Sequence, residues 1–575
     1  MSEKTMTGAE ALVRCLENEG VEYIFGLSGG AALPIFDAIV ESKIKLILVR
    51  HEQGATHMAD GYARATGKPG VVLVTSGPGA TNTITGILTA HMDSVSMIVL
   101  TGQTISPMLG KDAFQEADVF GLTMPVVKHS YLIKSTESIP RVLREAMHIT
   151  SSGRPGPVLI DVPKDFSAGE FAGDLYPEMD LPGFSPDSVE PDQTIVRQIA
   201  EALSKSRKPV ILAGHGALIS GAEDVLRQLA EKMQAPVTNT LLGKGAFPES
   251  HPLSLGMLGM HGTAYANKAL VDCDLVMSVG SRFDDRIIGK APLFCRDAVR
   301  IHIDIDPSEF GRMIQCDHYC QGDAKIVLER LLEHVGELNT KKWLTTLDGY
   351  KRRYPLTYKK RGGLKMQQIL DTLNTMTGGD AIMVTDVGQH QMWAAQFCRT
   401  EKPNTWLSSG GAGTMGYGLP AGIGAAFGKP KSPVWVIAGD GGFQMTMCEL
   451  ATAAINKIPV KVIVMNNRYL GMVRQWQTMF YDDRKSGVDL EGNPDFAKLT
   501  EAFPGGKGFT LKRAGDIRKV LEKAMAYNDG PCVINAIVEK TDNVFPMIPA
   551  GAPLEEMLIS EPKSNQKLEK PTGST

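Results

Sequence analysis

The chain has 575 residues, 43% of them apolar, and its 60 basic and 64 acidic residues leave a formal charge of −4. This balance shows no basic stripe, which argues against a nucleic-acid partner, and no apolar run reaches the roughly 18 residues of a membrane span. The length is too great for one hydrophobic core and favours several domains. Residues 1–20 lack a signal-peptide core and the eight cysteines show no disulfide spacing, so we expect a cytoplasmic protein.

The N-terminal third alternates apolar runs with stretches of helical spacing. Thr7 and Glu10 fit a capping box and Gly20 fits a C-terminal stop, which predicts a first helix between them. Strands are predicted at residues 21–25, 46–49, 71–75, 97–101 and 158–162, and a helix at 55–66. This alternation predicts a doubly wound parallel sheet, which we assign to residues 1–171.

Glu52 is the first candidate functional residue, because it stands just past the carboxyl end of the strand predicted at residues 45–50. In open α/β sheets this edge is where ligands bind. Taken alone, a glutamate at this place is more often a solvated turn residue. Its interpretation therefore depends on the rest of the chain.

The middle of the chain predicts a second α/β unit between two polar joints. Residues 172–192 are Pro-rich without periodicity and predict a linker. The central domain, residues 193–345, carries predicted strands at 209–213, 237–240, 275–279 and 301–305. Gly214 and Gly216 form only a fragment of a dinucleotide fingerprint, for which a tight turn is an adequate explanation. A second linker at 346–365 leads to a C-terminal domain at 366–560 and a polar tail, predicted to be disordered, at 561–575.

Two polar clusters in the C-terminal domain each follow an apolar run. Gly439-Asp440-Gly441-Gly442 follows a predicted strand at 434–438, and Asn466-Asn467 follows another at 460–465, with a helix predicted at 446–456 between them. Parallel strands end at one sheet edge, so Asp440 and Asn467 are expected to face one point. One carboxylate and one amide leave room in a Mg²⁺ shell for phosphate oxygens, and glycines beside a helix N-terminus suit a diphosphate.

This combination resembles the signature of thiamine diphosphate (ThDP) enzymes, in which Asp, Asn and a backbone carbonyl hold Mg²⁺ against the cofactor. By position, Tyr469 supplies the carbonyl. The alternative, a glycine-rich turn followed by an unrelated asparagine pair, suffices for either cluster alone. In these enzymes a glutamate after an N-terminal strand hydrogen-bonds the aminopyrimidine ring and promotes deprotonation of the thiazolium carbon, and Glu52 matches it. The family places these two domains across a subunit interface, which implies a homodimer or a tetramer.

Further stretches, in the family's order, resemble the catalytic large subunits of the acetohydroxyacid (acetolactate) synthases: residues 50–53, 76–82, 113–116, 257–262, 282–286, 386–391, 413–418 and 471–477. The resemblance implies three doubly wound parallel-sheet α/β domains of the ThDP-dependent decarboxylase/carboligase type. It implies a transferase that decarboxylates pyruvate and passes the hydroxyethyl group to a second pyruvate or to 2-ketobutyrate. That is the first common step of isoleucine, valine and leucine biosynthesis. A separate small regulatory subunit is the usual partner, with no nucleic acid and no membrane.

The resemblance also implies roles for individual residues. ThDP contacts are assigned to Glu52, Val387, Gly388, Gln389, His390, Met415, Gly439, Asp440, Gly441, Gly442, Asn467, Tyr469 and Met472. FAD, the flavin of the biosynthetic synthases, is assigned to Arg154, Gly214, Gly216, Thr240, Leu258, Met260, His261, Gly280, Arg282, Asp284, Arg286, Asp304, Ile305 and Asp323. Mg²⁺ ligands are Asp440, Asn467 and Tyr469. Catalytic contacts to reacting oxygens are Gly30 and Gln115, and the substrate residues are Phe114, Lys164, Met260, Arg286 and Trp476.

Three of these roles have a stated chemistry. Met415 matches the bulky residue that bends ThDP so that its amino group meets the thiazolium carbon, although an interior methionine is more often core. Arg286 offers a planar donor fork to the acceptor carboxylate, and Trp476 a surface for the side chain of 2-ketobutyrate. The ordinary alternatives are a surface charge cluster at 282–286 and a core or interface tryptophan.

The sequence departs from the family pattern at one place, and alternative functions stay open. Before Gly29 the family has an aromatic residue and a proline, whereas this chain has Leu27 and Ser28, which leaves φ less restricted there. The rival activities are another FAD-containing ThDP carboligase, or a pyruvate oxidase. Glu52 argues against a glyoxylate carboligase, which has a nonpolar residue there. A non-catalytic homologue should lack Glu52, Asp440 or Asn467, and all three are present.

Overall fold

The computed structural model describes residues 6–183 and 190–561. The middle of the predicted linker at 172–192 and all of the predicted tail except Glu561 lie outside these ranges. Within them the chain forms three six-stranded sheets, one for each predicted domain region. Every neighbouring pair of strands in these sheets is parallel, which confirms the predicted α/β class.

The first sheet has the order β3-β2-β4-β5-β7-β6. Its strands are β2 (Tyr23–Leu27), β3 (Lys45–Leu48), β4 (Gly70–Val74), β5 (Met97–Gln103), β6 (His129–Leu132) and β7 (Pro157–Pro163), and a short antiparallel pair joins β1 (Met6–Thr7) to β8 (Glu170–Phe171). Its helices are α1 (Gly8–Asn18), α2 (Leu33–Ile39), α3 (Glu52–Thr66), α4 (Pro78–Thr81), α5 (Ile84–Asp93), α6 (Val119–Thr123), α7 (Ile139–Ser151) and α8 (Lys164–Ala168).

The predicted capping box of α1 is confirmed, because Thr7 Oγ1 accepts from the Glu10 amide while the Glu10 carboxylate accepts from the Thr7 amide. The first strand was placed two residues too early. The amide of Val21 still donates to the Leu16 carbonyl at the end of α1, so β2 begins only at Tyr23. The helix predicted from residue 55 begins at Glu52, because the His51 imidazole caps it by accepting from the Gln53 amide.

The central sheet has the order β11-β10-β9-β12-β13-β14, the strand order of classic dinucleotide-binding folds. Its strands are β9 (Pro209–Ala213), β10 (Val237–Asn239), β11 (Ser254–Met257), β12 (Leu275–Val279), β13 (Val299–Asp304) and β14 (His318–Gln321). Its helices are α9 (Gln193–Lys205), α10 (His215–Ile219), α11 (Glu223–Met233), α12 (Ala264–Asp272), α13 (Asp285–Ile288), α14 (Ala324–His334) and α15 (Lys341–Arg353). Helix α15 runs through residue 345, and its buried Trp343 and Leu347 pack with the central core.

The C-terminal sheet has the order β16-β15-β17-β18-β20-β19. Its strands are β15 (Ile382–Thr385), β16 (Trp406–Ser408), β17 (Val434–Gly439), β18 (Lys461–Asn466), β19 (Lys507–Leu511) and β20 (Cys532–Ile537). Its helices are α16 (Met366–Thr377), α17 (Gln389–Phe397), α18 (Gly418–Gly428), α19 (Asp440–Thr446), α20 (Leu450–Ile455), α21 (Gly471–Phe480), α22 (Phe496–Glu501) and α23 (Ile517–Ala526).

The single helix predicted at 446–456 was wrong in its start and its continuity. Helix α19 begins at Asp440 itself, a 3₁₀ turn follows at Met447–Glu449, and α20 begins at Leu450. Gly441 and Gly442, which suggested a turn, lie inside α19, and the packing around the helix requires a small residue at 442. A Cβ on Gly442 would lie 2.2 Å from Asp386 Oδ1, so only glycine lets the helix pack there.

The N- and C-terminal sheets share one core within the chain. Alternate residues of β4 and β17 face opposite sides of their sheets, and Val72 and Val436 belong to the same apolar cluster. Helices α3 and α18 cross within this cluster at two glycines. A Cβ on Gly61 would lie 2.0 Å from the Ala421 carbonyl oxygen, and a Cβ on Gly424 would lie 1.9 Å from the Met58 carbonyl oxygen. No helix in the described residues is both long enough and apolar enough to cross a membrane.

Candidate functional site

A cavity of about 570 Å³ opens where the three domains meet. The N-terminal domain contributes the end of α5 and the turn at Arg154, and the central domain contributes the carboxyl edge of its sheet. Residues assigned to FAD that line it are Arg154, Gly216, Thr240, Leu258, Met260, His261, Gly280, Arg282, Asp284, Arg286, Asp304, Ile305 and Asp323. Val387, Gly388, Met415, Met472 and Trp476 of the C-terminal domain line the same cavity. The predicted flavin residues and part of the predicted ThDP set therefore share one space.

Gly214 is the one residue of the flavin set that does not line this cavity. A Cβ on Gly214 would lie 2.1 Å from the Gly280 carbonyl oxygen, and one on Gly216 would lie 2.7 Å from Gly280 Cα. The amide of Gly216 also donates to the Gly280 carbonyl at 3.0 Å. Gly214 thus allows the ends of β9 and β12 to approach, as the tight-turn interpretation expects.

The charged groups of the cavity are partly engaged with one another. Arg154 Nη1 pairs with Asp306 at 3.2 Å and with Glu309 at 2.5 Å, and its Nε donates to Ser94 Oγ. Arg282 lies 3.7 Å from the Asp284 carboxylate. The Arg286 side chain is 59% exposed and has only a long ion pair to its neighbour Asp285. Arg286 is therefore the cation most open to an incoming carboxylate.

Asp440 is the carboxylate at the carboxyl edge of the C-terminal sheet, and it is 1% exposed. Burial raises its pKa to about 6, and the groups that oppose this shift are neutral donors, chiefly the Asn493 amide 2.7 Å from Asp440 Oδ2. Asn467 Oδ1 lies in the same region and accepts from the Tyr469 amide at 3.0 Å. A buried carboxylate beside neutral oxygens, without a cationic partner in this set, suits a small hard cation.

His390 supports this edge from α17. Burial lowers its pKa to about 3, so the imidazole is neutral, and its Nε2 accepts from the Gly439 amide at 3.1 Å. Helix α17 begins after Gly388, whose φ of 147° favours glycine, and no side chain caps it. Gln389 places its side-chain amide on Gln475 and on the Asp542 carbonyl. His390 thus contacts the backbone next to Asp440, the Gln389 side chain bonds Gln475 and Asp542, and the roles of both residues toward ThDP stay predictions.

Glu52 occupies the carboxyl edge of the N-terminal sheet, where it is 7% exposed. It accepts from the Asn82 side chain at 3.0 Å, and a Cβ on Gly79 would lie 3.6 Å from Glu52 Oε1. Gln115, at φ 58°, packs its backbone against Gly77. The loops that carry Glu52 and Gln115 therefore meet at one edge.

This edge does not open into the three-domain cavity of the same chain. Glu52, Gly30, Gln115, Phe114 and Lys164 are absent from the residues that line it. Phe114 is 88% exposed, and other large apolar side chains of the N-terminal domain are exposed near it in sequence: Phe120, Leu122 and Met124. Within one chain, the predicted residues of the Glu52 edge are therefore separate from the cavity lining.

The chain matches three family models in succession. Residues 6–122 match the N-terminal thiamine pyrophosphate-binding domain of thiamine pyrophosphate enzymes, 196–331 their central domain and 386–536 their C-terminal thiamine pyrophosphate-binding domain. It is 47% identical over 565 residues to the acetolactate synthase of Mycobacterium bovis, covering 96% of this chain and 91% of the relative. The acetolactate synthase large subunit of Corynebacterium glutamicum is also 47% identical, over 95% and 89% of the two chains. A probable acetolactate synthase large subunit of Methanocaldococcus jannaschii is 45% identical, over 98% and 97%.

The chain belongs to the acetolactate synthase large-subunit family. It is a ThDP-dependent enzyme, as the resemblance implied, and the two models named for cofactor binding cover Glu52 and Asp440.

Several residues of the candidate site escaped the sequence prediction. Asn493 bridges the Asp440 carboxylate and Asn466, but its polar loop carries no motif. Ser94, His215, Ser281, Gly410 and Gly411 line the cavity. Of these, the glycine pair Gly410-Gly411 follows β16 as Gly441-Gly442 follows β17. That repeated pattern was the signal available in the sequence.

Proposed function

We propose that this enzyme converts two pyruvates to acetolactate, or pyruvate and 2-ketobutyrate to acetohydroxybutyrate, with ThDP, Mg²⁺ and FAD as cofactors. The observation that carries the proposal is the shared cavity, in which the flavin set meets Met415, Met472 and Trp476. ThDP supplies the electron sink for decarboxylation of the 2-keto acid. The residues bind, orient and exclude water around it.

Mg²⁺ fits the edge at Asp440. Asp440, Asn467 and the carbonyl of Tyr469 would hold the ion, and the described residues contain no group of three or more His, Cys, Asp or Glu side chains that competes for it. A Mg²⁺ with few protein ligands keeps positions for phosphate oxygens. Helix α19 begins at Asp440 and α17 at Gln389, so two helix N-termini add backbone donors for a diphosphate.

FAD fits the three-domain cavity. Arg154 and Arg282 bring guanidinium donors to the cavity beside the carboxylates with which they pair, and the central sheet has the strand order of dinucleotide-binding folds. Asp304 is the last residue of β13, where an acidic residue suits a ribose hydroxyl, and Asp323 caps α14 at the same edge. Leu258 and Met260 provide apolar surface for the ring system.

Glu52 would complete the site from a second copy of the chain. The ThDP amino group needs a carboxylate next to its ring, and the Glu52 edge does not reach the cavity of its own chain. The exposed Phe114 and its apolar neighbours are the kind of surface that a second subunit covers. Gly30 and Gln115 lie on the Glu52 side, so they would approach the reacting oxygens from the partner.

The second keto acid would be bound from both sides. Arg286 would hold its carboxylate, and Met260 and Trp476 would pack its side chain, because all three line the cavity. Phe114 and Lys164 would come from the N-terminal domain of the partner. The relatives from Corynebacterium glutamicum and Methanocaldococcus jannaschii are named as large subunits, which supports a separate small regulatory subunit as partner. We place the enzyme in the cytoplasm, at the first common step of branched-chain amino acid biosynthesis.

Product analysis tests this proposal. Purified protein incubated with pyruvate, ThDP, Mg²⁺ and FAD should form acetolactate, and adding 2-ketobutyrate should give acetohydroxybutyrate. Omission of Mg²⁺ should abolish turnover. Reduction of the flavin by pyruvate without oxygen, in the absence of acetolactate, would instead establish an oxidase.

A further inference from the structure

Each cofactor-binding domain holds a loop of the other with a buried carboxylate. Glu449 of the C-terminal domain is fully buried in the 3₁₀ turn after α19, and its Oε1 accepts from the amides of Arg50 at 3.1 Å and His51 at 3.0 Å. Asp93 of the N-terminal domain is 2% exposed, and it accepts from the amides of Gly410 at 2.9 Å and Gly411 at 2.6 Å.

These two contacts are equivalent by topology. The N- and C-terminal sheets have the same strand order, in which β3 corresponds to β16 and β4 to β17. Glu449 lies between β17 and β18 and contacts the loop after β3. Asp93 lies between β4 and β5 and contacts the loop after β16. The two contacts therefore join the same pair of domains in opposite directions: Glu449 reaches from the C-terminal to the N-terminal domain, and Asp93 reaches from the N-terminal to the C-terminal domain.

The loops so held carry the residues on which the proposed chemistry depends. Arg50 and His51 immediately precede Glu52, and Gly410 and Gly411 lie in the loop that reaches Met415. Glu449 also needs a glycine beside it, because a Cβ on Gly54 would lie 2.3 Å from Glu449 Oε1; a Cβ on Gly411 would lie 3.2 Å from Asp93 Oδ1, a tight contact.

Further hydrogen bonds fix the carboxylates themselves. Thr452 donates to Glu449 Oε2 at 2.6 Å, and Arg64 donates to Asp93 Oδ2 at 2.8 Å. Arg64 also donates to the Ser408 carbonyl, at the start of the held loop. Hydrogen bonds to charged groups are stronger than those between neutral groups, so both loops are held firmly.

We propose that Glu449 and Asp93 are reciprocal positioning residues: Glu449 sets the backbone from which Glu52 projects, and Asp93 sets the loop that carries Met415. The proposal rests on the assignment of Glu52 and Met415 to ThDP. In the homodimer proposed above, Glu52 and Asp440 of one chain serve different active sites. Glu449 follows Asp440 by one helix, so each chain ties its two half-sites together.

Amide hydrogen exchange of the holoenzyme, read by mass spectrometry, tests the contacts directly. In Glu449→Gln, peptides covering residues 49–53 should exchange roughly 10- to 100-fold faster, with residues 409–413 unchanged. Asp93→Asn should give the opposite footprint, so each variant is the control for the other. Glu145→Gln, which alters a buried carboxylate paired with Arg141 elsewhere in the N-terminal domain, should change neither segment. Equal changes in both segments, or in neither, would overturn the proposal.

The C2 proton exchange of bound ThDP at saturating cofactor tests the consequence. Glu449→Gln should slow it by roughly 10- to 100-fold, the scale of a small misplacement of a reacting group, with little further loss in a Glu52→Gln background. Asp93→Asn should slow C2 proton exchange by a similar factor, with little further loss in a Met415→Ala background. Undiminished exchange in both single variants, or equal losses with and without the background change, would refute a positioning role. Glu449→Asp keeps the charge, so its rate of C2 proton exchange should lie between those of the parent and of Glu449→Gln. It replaces Glu449→Gln in this test if that variant does not fold.

Failure of the underlying assignment has a separate signature. Normal C2 exchange in Glu52→Gln itself would refute the role of Glu52. The amide footprints make no reference to that role, so they decide the contacts of Glu449 and Asp93 in either case.

Discussion

The N- and C-terminal sheets have the same strand order, yet their carboxyl edges differ in chemistry. In the C-terminal domain Asp440 is enclosed by neutral donors and buried side chains, whereas in the N-terminal domain Gly30, Phe114 and Gln115 are exposed around Glu52. We proposed above that the enclosed edge holds Mg²⁺ and a diphosphate and that a second subunit covers the open edge.

Equivalent loops account for this division. Gly30 follows β2 as Gly388 follows β15, Gln115 follows β5 as Asn467 follows β18, and the glycine-rich turns after β4 and β17 correspond. The fold supplies equivalent loop positions in both domains, and the side chains at those positions give each edge its own chemistry. An open edge and an enclosed edge within one chain agree with the homodimer proposed above.

The largest expected effect on activity comes from removing the carboxylate of the open edge. Glu52→Gln keeps the size of the side chain and its contact with Asn82 but removes the charge. The C2 proton exchange of bound ThDP should slow by about 10²–10⁴-fold, the range of general acid–base catalysis. Exchange at the parent rate with ThDP bound would show that the open edge does not activate the cofactor.

A substitution at the enclosed edge should weaken cofactor binding rather than cofactor activation. Asp440→Ala should weaken Mg²⁺ and ThDP together, because the ion joins the protein to the diphosphate. Asn493→Ala removes a hydrogen-bonding partner of Asp440, and loss of such a supporting group typically lowers metal affinity about 10- to 100-fold. Asp440→Ala should lower the Mg²⁺ affinity by at least that much. Isothermal titration measures both affinities. Parent protein that binds ThDP equally well with and without Mg²⁺ would contradict the proposed metal site.

The sequence predicted the three α/β regions and the strands on both sides of each motif, because buried parallel strands are apolar runs with local signals. It also brought Asp440 and Asn467 to one edge through the βαβ rule. It misplaced α19, since glycines required by packing against Asp386 have the same letters as glycines required by a turn. That difference is tertiary and has no local signal.

The long-range contacts of the site were beyond the sequence for the same reason. Asn493 reaches Asp440 from a loop without a motif, and Glu449 reaches Arg50 across domains. The family resemblance assigned Gly214 to FAD, but Gly214 packs against Gly280 and does not line the cavity. Motifs therefore predicted candidate site residues, whereas the contacts that support those residues depend on how the domains pack.

The third test concerns the crossing that joins the two edges within a chain. Gly61→Ala places a methyl group 2.0 Å from the Ala421 carbonyl oxygen, so α3 and α18 must separate. Overpacking of this kind typically costs about 1–3 kcal/mol, and the midpoint of thermal unfolding should fall. Gly349→Ala is a matched control inside α15, where a Cβ meets nothing within 4 Å. It should be neutral or stabilising by up to about 1 kcal/mol, and an equal loss in both variants would exclude a special role for the crossing.

The smallest expected effect concerns the choice of the second keto acid, which depends on the shared cavity. Trp476 lines that cavity from α21 and packs against Phe480, with ring centroids 5.4 Å apart. A hydrophobic pocket discriminates one methylene by about 1–3 kcal/mol, so Trp476→Leu should cut the preference for 2-ketobutyrate over pyruvate roughly ten-fold. The decarboxylation half-reaction should suffer less, because both products share it. A competition assay that supplies both acids measures the ratio of acetohydroxybutyrate to acetolactate. An unaltered ratio would assign Trp476 to packing with Phe480 alone.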